Sequence, residues 1–157
     1  MDGCDRRDFI VKATGAVLAA GAVSGMAAGA YAQTMYDTGV DAKLFDGINR
    51  VKDPSKMTGL ELHHAPDIKV PTAVKAGEPF VVEVQAGREL HSTSVAHRIY
   101  SIQLLAGNEP IGAAVFESIM ANPRASFLVT LDRPVTLVAV SRCNLHGLWE
   151  GSVDIKM

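Results

Sequence analysis

The stretch Ala76-Gly77-Glu78-Pro79-Phe80-Val81-Val82-Glu83-Val84-Gln85-Ala86-Gly87 decides the fold. A four-residue turn releases a short run of Phe and Val interrupted by Glu83, and Gly87 closes it. Aromatic and β-branched residues between turn formers are the mark of a strand. The pattern repeats outward in both directions. Ile68 to Val74 precedes the turn, and Arg98 to Leu105 ends at Gly107-Asn108-Glu109-Pro110. Ile111 to Phe116, Phe127 to Leu131, Val135 to Val140 and Ser152 to Ile155 follow. Apolar residues recur at alternate positions, and Pro, Gly or Asn returns roughly every ten residues. About seven short strands so spaced predict an all-β domain, an immunoglobulin-like antiparallel β-sandwich.

The chain before these strands reads differently. Asp5-Arg6-Arg7-Asp8-Phe9-Ile10-Val11-Lys12 has a twin-arginine pattern, and an Ala/Gly/Val stretch follows from Ala13 to Ala30. Ala30-Tyr31-Ala32 offers the small residues a signal peptidase reads, so residues 1–32 are expected to be a removed signal peptide, with cleavage before Gln33. Export through the twin-arginine route, to the periplasm or beyond, is the corresponding expectation. Residues 33–60 read as a polar, irregular segment with one helical turn around Ala42 to Asn49 and a stop at Asp53-Pro54. Residues 61–157 form the expected β-domain.

Loss of 32 of the 157 residues leaves 125, enough for one core. The leader carries three basic and three acidic side chains, so the net charge of −2 is unchanged by its removal. That balance argues against nucleic acid or an anionic membrane as partner. Cys4 leaves with the leader and Cys143 is then alone, with no intrachain disulfide available to it.

The chemistry gathers at few places. Cys143 stands three residues before His146 in Cys143-Asn144-Leu145-His146-Gly147-Leu148-Trp149. The other four histidines form two clusters, His63-His64 and His91 with His97. All fall in three expected loops and none within an expected strand. A single loop histidine is ordinarily a solvated side chain, so it is the coincidence that carries weight. One soft thiolate with several imidazoles suits iron, copper or zinc rather than magnesium or calcium. The expectation is a mononuclear metal site to which three separate turns converge.

These residues resemble the superoxide reductases, specifically the one-iron neelaredoxin type built on the desulfoferrodoxin iron-binding domain. The anchors are His64-Ala65-Pro66, Gly87-Arg88-Glu89 leading to His91 and His97, and the run Cys143 to Trp149. The resemblance implies iron as cofactor, bound by His64, His91, His97, His146 and Cys143, with one coordination position open. It implies reduction of superoxide to hydrogen peroxide with an electron from a separate donor protein, rubredoxin-like or other, since no four-cysteine module is present. It leaves homo-oligomerisation open. The family's usual Glu-Lys pair before the first ligand is replaced here by Leu62 and His63. A register shifted by one would retain Glu61 and make His63 the ligand, but it would break the His-x-Pro spacing; with His64 as the ligand, Glu61 and His63 stand as the candidate catalytic residues. Leu90 stands where the family usually has proline.

Three rival readings share some of these residues. A cupredoxin-like electron carrier also uses a late Cys and His, but it needs only two histidines and an axial Met, and no Met follows His146 before Met157. A sulfur-carrier-type binding module would share the sandwich but leave the histidine clusters unexplained. Cys143 as a nucleophile with His146 as base would lack a third, orienting group.

Overall fold

The computed structural model describes residues 42–157; the signal peptide and most of the irregular segment expected from the sequence lie outside the described residues. A short 3-10 turn, Ala42–Phe45, precedes β1 (Ile48–Arg50), α1 (Gly59–His64), β2 (Pro66–Lys69), β3 (Pro79–Ala86) and β4 (Ile99–Ala106). Then come β5 (Glu109–Val115), β6 (Arg124–Thr130), β7 (Val135–Cys143) and β8 (Gly147–Ile155). Two sheets face each other, one of order β1-β8-β7-β4-β5 and one of order β2-β3-β6. The expected immunoglobulin-like sandwich is therefore the fold, with eight described strands rather than seven.

Alternation builds the core. In β3, Phe80, Val82, Val84 and Ala86 turn inward while Val81 and Glu83 face out. In β7 the inward row is Leu137, Ala139, Ser141 and Cys143. These rows meet Ile99, Ile102 and Leu104 of β4 between the sheets. Strand side chains alternate faces with a period of two, so a cysteine six residues beyond Leu137 must share its face. Cys143 is thus the last residue of a core row and not a loop residue, which corrects its expected placement. The polar run Ser141-Arg142-Cys143 masked the end of β7 in the sequence.

Three further differences have physical causes. β1 pairs parallel to β8, Ile48 opposite Leu148 through Arg50 opposite Glu150, although Ile-Asn-Arg carries no apolar alternation. It is held by polar contacts instead, an Arg50–Glu150 pair at 2.9 and 2.8 Å and Asn49 Nδ2 donating to the carbonyls of His146 and Leu148. β2 stops at Lys69 rather than reaching Val74, and Pro71, which lacks an N–H for the ladder, follows. β8 starts at Gly147, five residues before the expected Ser152. Gly151 lies inside it because a Cβ there would run into the carbonyl of Pro66, where β2 crosses the sheet.

Candidate metal centre

His64 comes from α1, an element absent from the sequence reading. Thr58 caps it: its hydroxyl accepts from the Glu61 N–H and donates to Glu61 Oε2 at 2.9 Å, while the Thr58 N–H reaches the same oxygen at 2.7 Å. This is a capping box, and Thr58-x-x-Glu61 was its visible signature. Glu61 Oε1 also accepts from the Lys52 N–H at 3.0 Å. Glu61 is 5% exposed and outside the cleft over the imidazoles, so its carboxylate is engaged by the cap and not brought to the site. These hydrogen bonds, from Thr58 first and then Lys52, hold its carboxyl below the usual carboxylate range.

The C-terminal end of α1 is clamped from two sides. Ser141 Oγ, fully buried in β7, donates to the His64 carbonyl at 2.7 Å. The Gly87 and Glu89 N–H groups donate to the carbonyls of Ala65 and Leu62. Gly87 has φ of 79°, and a Cβ on it would collide with the His63 and Glu89 carbonyls. Only glycine permits this approach without strain. The clamp explains why Gly87-Arg88-Glu89 precedes His91 in the chain, a role the sequence did not disclose.

The hairpin between β7 and β8 carries His146, and Gly147 at φ of 73° ends its turn. Asn144 fastens this hairpin to the loop bearing His97. Its Oδ1 accepts from the Arg98 N–H at 2.8 Å and its Nδ2 donates to the Ala96 carbonyl at 2.8 Å. A bulge in β4 between Ile99 and Ser101 lies beside this junction, where β4 meets Cys143. Asn144 and Ser141 were not singled out from sequence; both act through backbone groups that no motif displays.

The four imidazoles meet nitrogen to nitrogen. His91 Nε2 lies 3.1 Å from His64 Nε2 and 3.0 Å from His97 Nε2. His146 Nδ1 lies 2.9 Å from His64 Nε2 and 3.1 Å from His97 Nε2. Cys143 Sγ stands 3.9 Å from His91 Nε2 and 3.7 Å from His146 Nδ1. The three expected segments therefore converge, and His64 rather than His63 faces the centre. His63 lines the same cleft, with Nε2 3.5 Å from Glu89 Oε2 at the surface.

This arrangement fits a cation and little else. His64 Nδ1 is 2.8 Å from the Leu60 carbonyl, an acceptor only, so Nδ1 carries the proton and Nε2 presents a lone pair to the ring. Each ring nitrogen has two nitrogen neighbours near 3 Å, and a neutral imidazole has one proton at most to share. A square of that side has corners about 2.1 Å from its middle, which is a metal–imidazole bond length. Such a carbonyl partner on the outer nitrogen is how ligating histidines are ordinarily oriented. Five donors exceed the four of a structural zinc site and the two His and one Cys of blue copper, and leave iron as the fitting ion.

Burial first, then the neighbouring imidazoles, pushes His64 and His91 down to about 4, and His97 is lowered for the same reasons. Burial raises the Cys143 thiol, opposed by the backbone N–H groups of Leu145 and His146 that bond its sulfur. His64, His91 and His97 are thus neutral and ready to ligate at pH 7, while the sulfur needs a cation to hold it as thiolate. A raised thiol also counts against Cys143 as a free nucleophile.

Comparison with known proteins agrees with this geometry. The family description "Desulfoferrodoxin" matches residues 56–152. The superoxide reductase of Pyrococcus abyssi is 36% identical over 92 residues, covering 52% of this chain and 80% of its own. The neelaredoxin of Megalodesulfovibrio gigas is 31% identical over 113 residues, covering 60% and 87%. Among solved structures, the superoxide reductase (neelaredoxin) of Ignicoccus hospitalis superposes with a TM-score of 0.60 at 33% identity, over 73% of this chain and 95% of that one. With most of the β-domain matched and a five-donor His/Cys cluster where its turns converge, this chain belongs to the desulfoferrodoxin family.

Proposed function

We propose that this protein is a superoxide reductase, an oxidoreductase that turns superoxide, two protons and one electron from a separate donor protein into hydrogen peroxide. His64, His91, His97, His146 and Cys143 are the proposed ligands of a single iron. The observation that carries the reading is the ring of four imidazole nitrogens, 2.9 to 3.1 Å apart, with the sulfur beside it. When bound, the iron supplies the transferred electron and the positive charge that an incoming anion meets.

The chain's own groups do the rest. A cleft of about 280 Å³, lined by Leu60, His63, Leu90 and Ser92 beside the imidazoles, gives a diatomic anion access from solvent. The N–H groups of Leu145 and His146 restrain the basicity of the sulfur, which tunes the electron it helps to release. His63 is the proposed polar group at the mouth, placed to donate a hydrogen bond or relay a proton. It stands where the family resemblance implies a lysine, and an imidazole in place of that ammonium predicts slower but not abolished anion capture. Export by the twin-arginine route, supported by Asp5 to Lys12, completes the proposal. Cell fractionation with the intact leader and with Arg6 and Arg7 changed to Lys tests it.

Pulse radiolysis tests the activity. Ferrous protein exposed to a pulse of superoxide should be oxidised to ferric iron with hydrogen peroxide as product; a ferrous form inert to superoxide ends the enzymatic reading. In parallel, Cys143→Ser should abolish the visible ferric-thiolate absorption while the far-ultraviolet dichroism of the sandwich is retained.

A further inference from the structure

The cleft over the imidazoles carries no fixed cation. Among the described residues that line it, His63 is the sole titratable side chain outside the ligand set, and none is lysine or arginine. The two arginines beside ligand-bearing stretches are turned elsewhere. Arg98, which follows His97, donates to the Val95 carbonyl at 3.3 Å and lies over the Tyr100 ring at 4.6 Å. Arg88, in the clamp before His91, lines a separate cavity with Arg50, Asp67 and Glu150. The fixed charge that does stand at the mouth is negative. Glu89 Oε2 is 3.5 Å from His63 Nε2, so any positive charge on that ring meets a carboxylate. Aliphatic side chains take the remaining places: Leu60 and Leu90 both line the cleft and are 49% and 48% exposed. Both are fixed close to ligands. The Leu60 carbonyl holds His64 Nδ1 at 2.8 Å, and Leu90 is joined to the buried His91.

From this lining we infer that the entrance discriminates by charge: it favours uncharged diatomic ligands, of which nitric oxide is the representative, over anions. Leu60 and Leu90 are the specificity-determining side chains. The inference rests on the iron ligation proposed above and not on turnover of superoxide. An anion passing between two aliphatic side chains sheds part of its hydration and finds no cation to replace it. An uncharged diatomic molecule has little hydration to lose. Fixed charges of opposite sign in a cleft ordinarily raise the on-rate of an ion by about 10- to 1,000-fold, and this cleft lacks that gain. Superoxide is then drawn by the charge of the bound metal alone. Nitric oxide, equally small, competes with it for the open position.

The test uses the iron-loaded native chain, with nitric oxide mixed into the ferrous form and azide into the ferric form, each followed by absorption. Azide association with wild type should change less than about twofold between about 20 and about 500 mM salt, because there is no fixed cation to screen. Leu90→Lys places an ammonium at the mouth. Azide should then associate about tenfold faster at low salt, and high salt should remove the gain. Nitric oxide should bind the same variant within about twofold of wild type, since it carries no charge for the ammonium to attract. Leu60→Lys, in the first turn of α1, should act alike, and it decides the matter if Leu90→Lys does not retain iron. Leu128→Lys adds the same charge at an exposed position of β6 and should leave azide association unchanged. The inference is overturned if azide association with wild type falls steeply with salt, or if neither cleft lysine accelerates it. It is also overturned if lysine shifts nitric oxide and azide together, which would mean room rather than charge. Loss of iron from both cleft variants overturns it as well, by making Leu60 and Leu90 part of the fold rather than of the entrance. A wild-type ferrous form that takes up no nitric oxide would instead remove the iron reading itself.

Discussion

His64 and His91 are each 2% exposed, whereas their ring partners His97 and His146 are only partly covered, and the two halves are held by different means. The buried half is fixed by packing: α1 is capped at its start, clamped at its end by Ser141 and by the loop after Gly87, and seated on the core row that ends in Cys143. The open half is held by hydrogen bonds near the surface: Asn144 ties its two segments together, Ser94 Oγ accepts from the His97 N–H, and Asn49 and Trp149 donate to the His146 carbonyl. One half of the site is therefore part of the fold, and the other is attached to it. This division gives a metal site a rigid base and an accessible edge, which a reaction with a small diffusing anion requires.

Substitution should separate the halves. We expect His64→Ala to lower iron affinity by more than about 100-fold, since loss of a mere outer-sphere partner already costs 10- to 100-fold. It should also destabilise the metal-free chain by about 2–4 kcal/mol through the cavity it leaves. His97→Ala should match the loss of iron but cost under about 1 kcal/mol of stability, because its ring is partly solvated. Chelator competition and urea unfolding of the metal-free proteins measure the two quantities. Equal losses of stability would erase the distinction between the halves.

Gly87→Ala probes the clamp without touching a ligand. A side chain there must adopt φ near 79° and collide with two carbonyls, so about 2–3 kcal/mol should be lost in urea unfolding. A variant of wild-type stability would show that the approach of the loop to α1 is not tight.

Acid sharpens the same contrast. Burial holds His64 and His91 at about 4, whereas an unfolded imidazole titrates near its ordinary value of about 6.5. Between those limits the unfolded chain takes up protons that the folded, metal-free chain refuses. The sign follows: this contribution to stability is full above pH 6.5 and is lost as pH falls towards 4. Urea midpoints of the metal-free protein at pH 7.5 and 5 should differ in that direction. His64→Ala should reduce the difference, because one of the two buried imidazoles is gone.

Much of this was legible in the chain, for reasons that differ by region. β3 and β4 announce themselves because each buries one face, and alternation survives along their length. β1 was invisible because Ile48-Asn49-Arg50 pairs through polar contacts, and the start of β8 was hidden because Gly147, Glu150 and Gly151 read as turn residues. All five proposed ligands could be named from the sequence, since their residue types and order carry the chemistry. Their ring geometry could not, because it depends on Asn144, Ser141 and Gly87 acting through backbone groups. The spacing His64-Ala65-Pro66 already favoured His64 over His63, and α1 supplies the physical reason, since its final turn directs one ring to the centre and leaves the other at the cleft mouth.

Glu61 is where sequence and structure part most clearly, and it supplies the smallest expected effect. At the open coordination position its carboxylate would govern spectra and kinetics, and its loss would leave stability untouched. In the structure it accepts from the Lys52 N–H, the Thr58 N–H and the Thr58 hydroxyl, at 3.0, 2.7 and 2.9 Å. A glutamine has one oxygen in place of two and turns an amide toward a donor, so at least one of these bonds must be lost. Glu61→Gln should therefore cost about 1 kcal/mol, in the range of a lost helix cap. The ferric-thiolate absorption and the superoxide rate should stay at wild-type values. Stability at the wild-type level together with an altered absorption would instead return Glu61 to the metal, and α1 would then have to pivot to bring it there.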